Sequence, residues 1–190
     1  MALHLETARL IVRPFTEEDI AALIIYRSHP EVARYQLWDA PYTNAAAQAF
    51  WERQRQVVPN TPNSWQQLAL EHKASGQLIG DCALHTVDLH QVELGYTLAP
   101  AYQGRGYMSE ALTRVISYLF TDLGKHRLSA EMDARNTASA RLAERLGFRR
   151  EAHFIEDMWF KGEWSSTFVY ALLAQEWQEP RAPEAESNGA

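Results

Sequence analysis

This chain has little that could bind a metal or cross-link it covalently. Its 190 residues include one cysteine, Cys82, so no intramolecular disulfide can form, and a reducing compartment suits it. The residues around Cys82 alternate as a strand, which fits a small buried apolar side chain better than a reactive thiol. The seven histidines show no HExxH spacing, and no Cys/His cluster accompanies them; no metal site is expected. An excess of positive charge is also lacking. Lys and Arg number 18 against 24 Asp and Glu, a net charge of −6, which argues against sequence-independent binding of nucleic acid. Part of that acidity lies at the end of the chain, where four glutamates from Glu176 onward face one arginine. No apolar run approaches the roughly 18–20 residues of a membrane span, and no basic-then-apolar leader marks a signal peptide. The reading is a soluble, cytoplasmic protein without membrane or nucleic-acid partners, as a monomer or a homodimer.

What is present is core-forming material: 46% hydrophobic residues and six tryptophans, enough for one domain over residues 1–177. Residues 178–190, rich in Pro, Ala, Glu and Ser, read as a disordered acidic tail. Residues 8–14 form a strand ended by Pro14. Thr16, followed by Glu17, Glu18 and Asp19, starts a helix that runs to about Ser28, where His29-Pro30 stops it. Thr43 or Asn44 caps a second helix through Val58. Runs at 65–73, 77–87 and 91–98 read as an antiparallel meander. In the last of them Glu93, Gly95 and Thr97 share one face, and Leu94, Tyr96 and Leu98 the other. Leu112, Val115, Ile116, Leu119, Phe120 and Leu123 mark one helix face, closed by Gly124. A strand at 127–132, a helix at 136–146 and two long strands at 148–160 and 164–174 follow. The expected class is α+β, a mixed sheet of about seven strands flanked by about four helices.

Residues 100–112 read PAYQGRGYMSEAL: a strand ends, glycines follow, and a helix begins. The first N–H groups of a helix have no internal partner, and the macrodipole adds partial positive charge there. Glycines let the backbone approach an anion, so the stretch suits a phosphate. It is not a Walker A loop, because no GK[ST] follows, nor a dinucleotide GxGxxG, because Ser109 stands three residues after Gly106.

QGRGYM at 103–108 resembles the pyrophosphate loop of the GNAT acyltransferase superfamily, with Met108 where Gly or Ala is usual. NTASARLAERLGF at 136–148 resembles the helix after that superfamily's fifth strand. LETARLIVRPFTEEDI, VELGYTLAPAYQGRGYMSEAL and NTASARLAERLGF, in this order, are similar to the RimJ/RimL branch of N-acetyltransferases. The resemblance implies a twisted sheet splayed at its centre, acetyl-CoA as donor, and direct transfer of acetyl to an amine without a covalent enzyme intermediate. It implies that Leu98, Gln103, Gly104, Arg105, Gly106, Tyr107, Met108, Ser109, Asn136 and Ser139 hold the donor, with Ser139 near the sulfur. Asn136 also reads as a helix cap and Ser139 as a solvated helix serine. Glu93 stands where some members keep a general base. The tyrosine acid of many members is replaced here by Ala143, and a later working glutamate by Met158. Tyr35, Trp38 and Tyr42 fall where the acceptor site is roofed, or they pack in the core; His85 falls on a strand that could face the acceptor. A protein N-terminal α-amine is the first acceptor reading. The alternatives are a small-molecule amine such as a polyamine, amino sugar or antibiotic, and a non-catalytic acyl-CoA sensor. A nucleotide-binding protein that uses the loop differently is a more distant rival.

Overall fold

The structure, a computed structural model, describes residues 3–178. Strands β1 (Leu5–Glu6) and β2 (Leu10–Pro14) precede three helices: α1 (Ile20–Arg27), α2 (Pro30–Ala33) and α3 (Asn44–Gln54). The meander follows as β3 (Ser64–His72), β4 (Gln77–Thr86) and β5 (Gln91–Leu98). Then come α4 (Tyr107–Ser117), β6 (Arg127–Asp133), α5 (Thr137–Arg145), β7 (Arg149–Phe160) and β8 (Glu163–Leu173). The strands form one sheet in the order β1-β2-β3-β4-β5-β6-β8-β7. Neighbours run antiparallel except β5 and β6, which are parallel.

The described residues thus hold eight strands and five α-helices. The additional strand, β1, is two residues long, too short to show alternation. The additional helix, α2, is a single turn with Pro30 at its first position; proline lacks the N–H that this position cannot use, so it starts a helix as readily as it stops one. The start near Thr16 is a 3₁₀ turn over Glu17–Asp19, in which the Asp19 carboxylate accepts from the Thr16 N–H at 2.7 Å. Thr43 caps α3 by accepting from the Ala46 N–H at 3.1 Å. That helix ends at Gln54 rather than Val58: after Arg55 the bonds shorten to i→i−3, from the Gln56 N–H to Arg53 and the Val57 N–H to Gln54, ahead of Pro59, and the Gln54 side chain accepts from the Gln67 N–H at 2.8 Å. The acidic tail beyond residue 178 lies outside the described residues.

Each face of the sheet carries a core. On one, Leu68, Leu70, Cys82, Leu84 and Leu94 pack against Leu112, Val115 and Ile116 of α4, Leu119 in the turn after it, and Leu142 of α5. Each such side chain contributes about 1.5–3 kcal/mol by leaving water. On the other, Phe15, Leu23, Tyr26, Tyr42 and Phe50 pack over Ala69 and Leu78. This second core holds a charge: Arg27 is 4% exposed and Asp81 2%. Arg27 Nη2 donates to Asp81 at 3.2 Å, and the Tyr26 hydroxyl donates to the same carboxylate. Trp38, Tyr42 and Phe50 present ring faces to the Arg27 guanidinium at 4.2, 5.3 and 4.5 Å.

The feature that positions the site is a fork. β5 and β6 pair only at Gln91–Arg127, Val92–Leu128 and Glu93–Ser129. Beyond Glu93, β5 continues with β4 as far as Leu98, while β6 continues with β8 as far as Asp133. At the β5 end, Gly80 lies so close to its neighbour that an added Cβ would collide with the Thr97 carbonyl.

Candidate active site

The fork opens into a cavity of about 760 Å³. Its floor is Tyr96, Thr97 and Leu98 of β5, and its walls are the loop before α4, the first turn of α4 and one face of α5. The loop turns through two left-handed glycines, Gly104 at φ +72° and Gly106 at φ +78°. Such angles strain any residue with a Cβ. Gly106 is also the N-cap of α4. Among the described residues, none of the N–H groups of residues 104–109 finds a partner of good hydrogen-bond geometry. Six unused donors at the positive end of a helix favour an anion. Gln103 Nε2 donates to the Leu98 carbonyl at 2.9 Å and ties the loop to the strand end.

Leu98, Gln103, Gly104, Gly106, Tyr107, Met108, Ser109, Asn136 and Ser139 all line this cavity. Arg105 does not; its side chain is exposed. Met108 occupies its unusual position because its side chain is buried in the core, where the Cys82 thiol lies 3.9 Å from its sulfur. Tyr107 turns its ring away, placing its hydroxyl 3.1 Å from His72 Nε2. Asn136 caps α5 by accepting from the Ser139 N–H at 3.2 Å, so the capping reading of this residue holds while it lines the cavity. The Ser139 hydroxyl has no hydrogen-bond partner among the described residues.

The sequence reading missed Tyr96, Arg141 and Arg145. The Tyr96 hydroxyl donates to the Ser139 carbonyl at 3.1 Å and straps β5 to α5 across the fork. Burial pushes its pKa up, so the phenol stays neutral and serves as a donor. Its apolar-face alternation was visible, but its partner was not. Arg141 and Arg145 line the cavity at helical spacing with Ala138 and Leu142, and neither has an ion-pair partner among the described residues. The i, i+3, i+4, i+7 pattern of these four residues was the available signal.

The acceptor candidates are not brought together. Tyr35 lines the cavity, its hydroxyl 3.5 Å from the Arg135 carbonyl. Trp38 packs on Arg27 and donates from Nε1 to the Arg27 carbonyl at 3.1 Å. Tyr42 is buried beside Phe50 and does not reach the cavity; its apolar ring completes the second core. His85 and Glu93 lie apart from this cavity, at the crotch of the fork. His85 stacks on Trp65 with ring centres 4.5 Å apart, and its Nδ1 lies 3.2 Å from Glu93. Glu93 and Asp157 stand close enough to Glu131 for their charges to interact with it. Burial raises the Glu131 pKa, and the charges of Glu93 and Asp157 raise it further. Met158, at the position of the later glutamate, is part-exposed on β7 opposite Ser165. Among the described residues no group of three His, Cys, Asp or Glu could hold a metal ion, and no helix is long and apolar enough to cross a membrane.

A parallel fork with a glycine loop over a helix N-terminus whose N–H groups are unused suits a phosphate-bearing ligand. The Acetyltransferase (GNAT) domain model matches residues 9–149. The chain belongs to the GNAT acetyltransferase family. A GNAT-family acetyltransferase from Bacillus anthracis superposes with a TM-score of 0.81 at 26% identity, over 92% of this chain and 100% of that one. The uncharacterized N-acetyltransferase YnaD of Bacillus subtilis (strain 168) is 30% identical over 176 residues, 92% of this chain and 99% of that protein. The ribosomal protein uS5-alanine N-acetyltransferase of Escherichia coli (strain K12) is 34% identical over 92 residues, 48% of this chain and 47% of that protein. The protein is therefore an N-acetyltransferase of the GNAT fold.

Proposed function

We propose that this GNAT protein transfers acetyl from acetyl-CoA to a protein N-terminal α-amine. The observation that carries the donor half is the row of unused N–H groups at 104–109 at the wall of a cavity of about 760 Å³. These groups would take the pyrophosphate, and the open edge of β5 and the Asn136 amide would take the pantetheine arm. The amine must shed a proton before it attacks, since an α-amine has a pKa of about 8. Its nitrogen then bonds to the acetyl carbon, the carbon–sulfur bond breaks, and the thiolate gains a proton. The free Ser139 hydroxyl is suited to donate toward that sulfur. Glu93, hydrogen-bonded to His85, is suited to accept the proton from the amine through water.

The α-amine reading is supported by the relative that acts on the alanine of ribosomal protein uS5. A second reading, a polyamine or another cationic small molecule, is favoured by the grouping of Glu93, Glu131 and Asp157. Release of CoA thiol from acetyl-CoA, followed across N-terminal peptides, polyamines and aminoglycosides, separates the two. Release with peptides is the expected result; release with polyamines alone replaces the first reading by the second. Tight binding of acetyl-CoA with no release across the panel points to a sensor.

A further inference from the structure

We propose that Arg9 and Glu110 form a clamp that presets the loop for its diphosphate, with Arg9 as the positioning residue. The inference rests on the acyl-CoA reading of the cavity. Glu110 lies in the first turn of α4, beside the N–H groups that would receive the anion, and an unpaired carboxylate there would oppose it. It is not unpaired. Its Oε1 accepts from the Thr7 hydroxyl at 2.6 Å and from the Arg9 N–H at 2.8 Å, and its Oε2 accepts from Arg9 Nε at 2.6 Å. Burial disfavours its charge, but the hydrogen bonds from Thr7 and Arg9 more than offset this and hold its carboxyl below the usual range.

Arg9 reaches one residue further. Its Nη1 donates to the Arg105 carbonyl at 3.0 Å, and its guanidinium lies over the Tyr107 ring at 4.2 Å. In a trans peptide the C=O and N–H point in opposite directions. Holding the Arg105 oxygen on the Arg9 side therefore turns the Gly106 N–H toward the cavity that Gly106 lines. Arg9 Nη2 also lies 3.4 Å from where a Gly106 Cβ would stand, so the guanidinium fills the space behind the loop. One side chain thus neutralises a carboxylate that would repel the ligand and orients a peptide that would bind it.

The test is CoA binding by calorimetry alongside pantetheine binding by NMR titration. Pantetheine lacks the diphosphate. Wild type, Arg9→Met and Arg9→Met/Glu110→Gln are compared, with thermal midpoints of the apo proteins. Losing charge-assisted hydrogen bonds and exposing Glu110 to the diphosphate should weaken CoA about 30-fold in Arg9→Met. The double variant should recover to within about fivefold of wild type, because the opposing carboxylate is gone. Pantetheine affinity should stay within about twofold in all three proteins. Equal losses for both ligands, or a double variant no better than Arg9→Met, would reduce the pair to a structural ion pair and overturn the clamp. An unchanged CoA affinity in Arg9→Met overturns it outright. Folded wild type that fails to bind CoA removes the donor reading itself, a result distinct from any change among the variants.

Discussion

The donor and acceptor sides of the fork are built from different materials. The donor side is mostly backbone: the N–H groups of 104–109 and the open edge of β5. The proposed acceptor side is made of side chains from four strands, His85 of β4 beside Glu93 of β5, and Glu131 of β6 within reach of the charges of Glu93 and of Asp157 on β7. A backbone site depends on chain geometry, so it is sensitive at its glycines and at the side chains that hold its peptides in place. A side-chain site changes its ligand with every substitution.

The sharpest way to break this contrast is at Gly106. Gly106→Glu strains a backbone held at φ +78° and sets a carboxylate beside the Arg9 guanidinium that holds the Arg105 carbonyl. CoA affinity should fall by more than about 100-fold with circular dichroism unchanged. Retained affinity would show that backbone geometry is not what binds the donor.

In the second core, Asp81→Ala leaves Arg27 buried without its counter-charge. We expect a loss of about 3–5 kcal/mol in urea denaturation. Since Trp38 and Tyr42 pack on Arg27, a small loss would mean that the aromatic faces alone hold that cation.

Glu131→Gln sharpens the contrast by separating function from stability. The acceptor KM should rise about tenfold while CoA affinity stays unchanged. The folded-state pKa of Glu131 is raised above 4.5, so its ionisation opposes folding. The glutamine variant should therefore be slightly more stable at neutral pH, with the gain vanishing once pH falls below about 4. Equal urea midpoints of both proteins at pH 7 would contradict this.

The smallest effect is expected at a part-exposed ion pair outside the cavity. Glu151 bridges Arg127 and Arg149, and the hydrogen bond from Arg127, with Arg149 beside it, lowers its pKa from 4.5 to about 2. Its contribution is present above pH 4.5 and is lost as pH falls toward 2. Glu151→Gln should lower the thermal midpoint slightly at pH 7 and not at pH 2, with activity at pH 7 unaltered.

The donor loop was legible because its signals are local. Glycines, a following helix period and a capping asparagine sit within two short segments, and all of the donor candidates except Arg105 line the cavity. The acceptor side was not. Tyr35 and Tyr42 look alike in the sequence, yet one lines the cavity and the other completes a core. The difference comes from how α2 and the following loop lie on the sheet, which no periodicity records. Gly80 looked like any strand glycine; only its approach to the Thr97 carbonyl shows why a side chain is excluded there.

By itself the sequence determined the order of the longer strands and helices, the apolar face of α4, and the glycine turn at 104–106 that leads into it, because caps, periods and left-handed glycines act over a few residues. Tertiary structure decided where the sheet splits, by pairing β5 and β6 over three residues and placing β8 between β6 and β7. It also brought Arg9 to Glu110 across 101 positions and gathered the carboxylates of three strands. Those contacts join segments far apart in the chain, and their energies exist only once the sheet has formed.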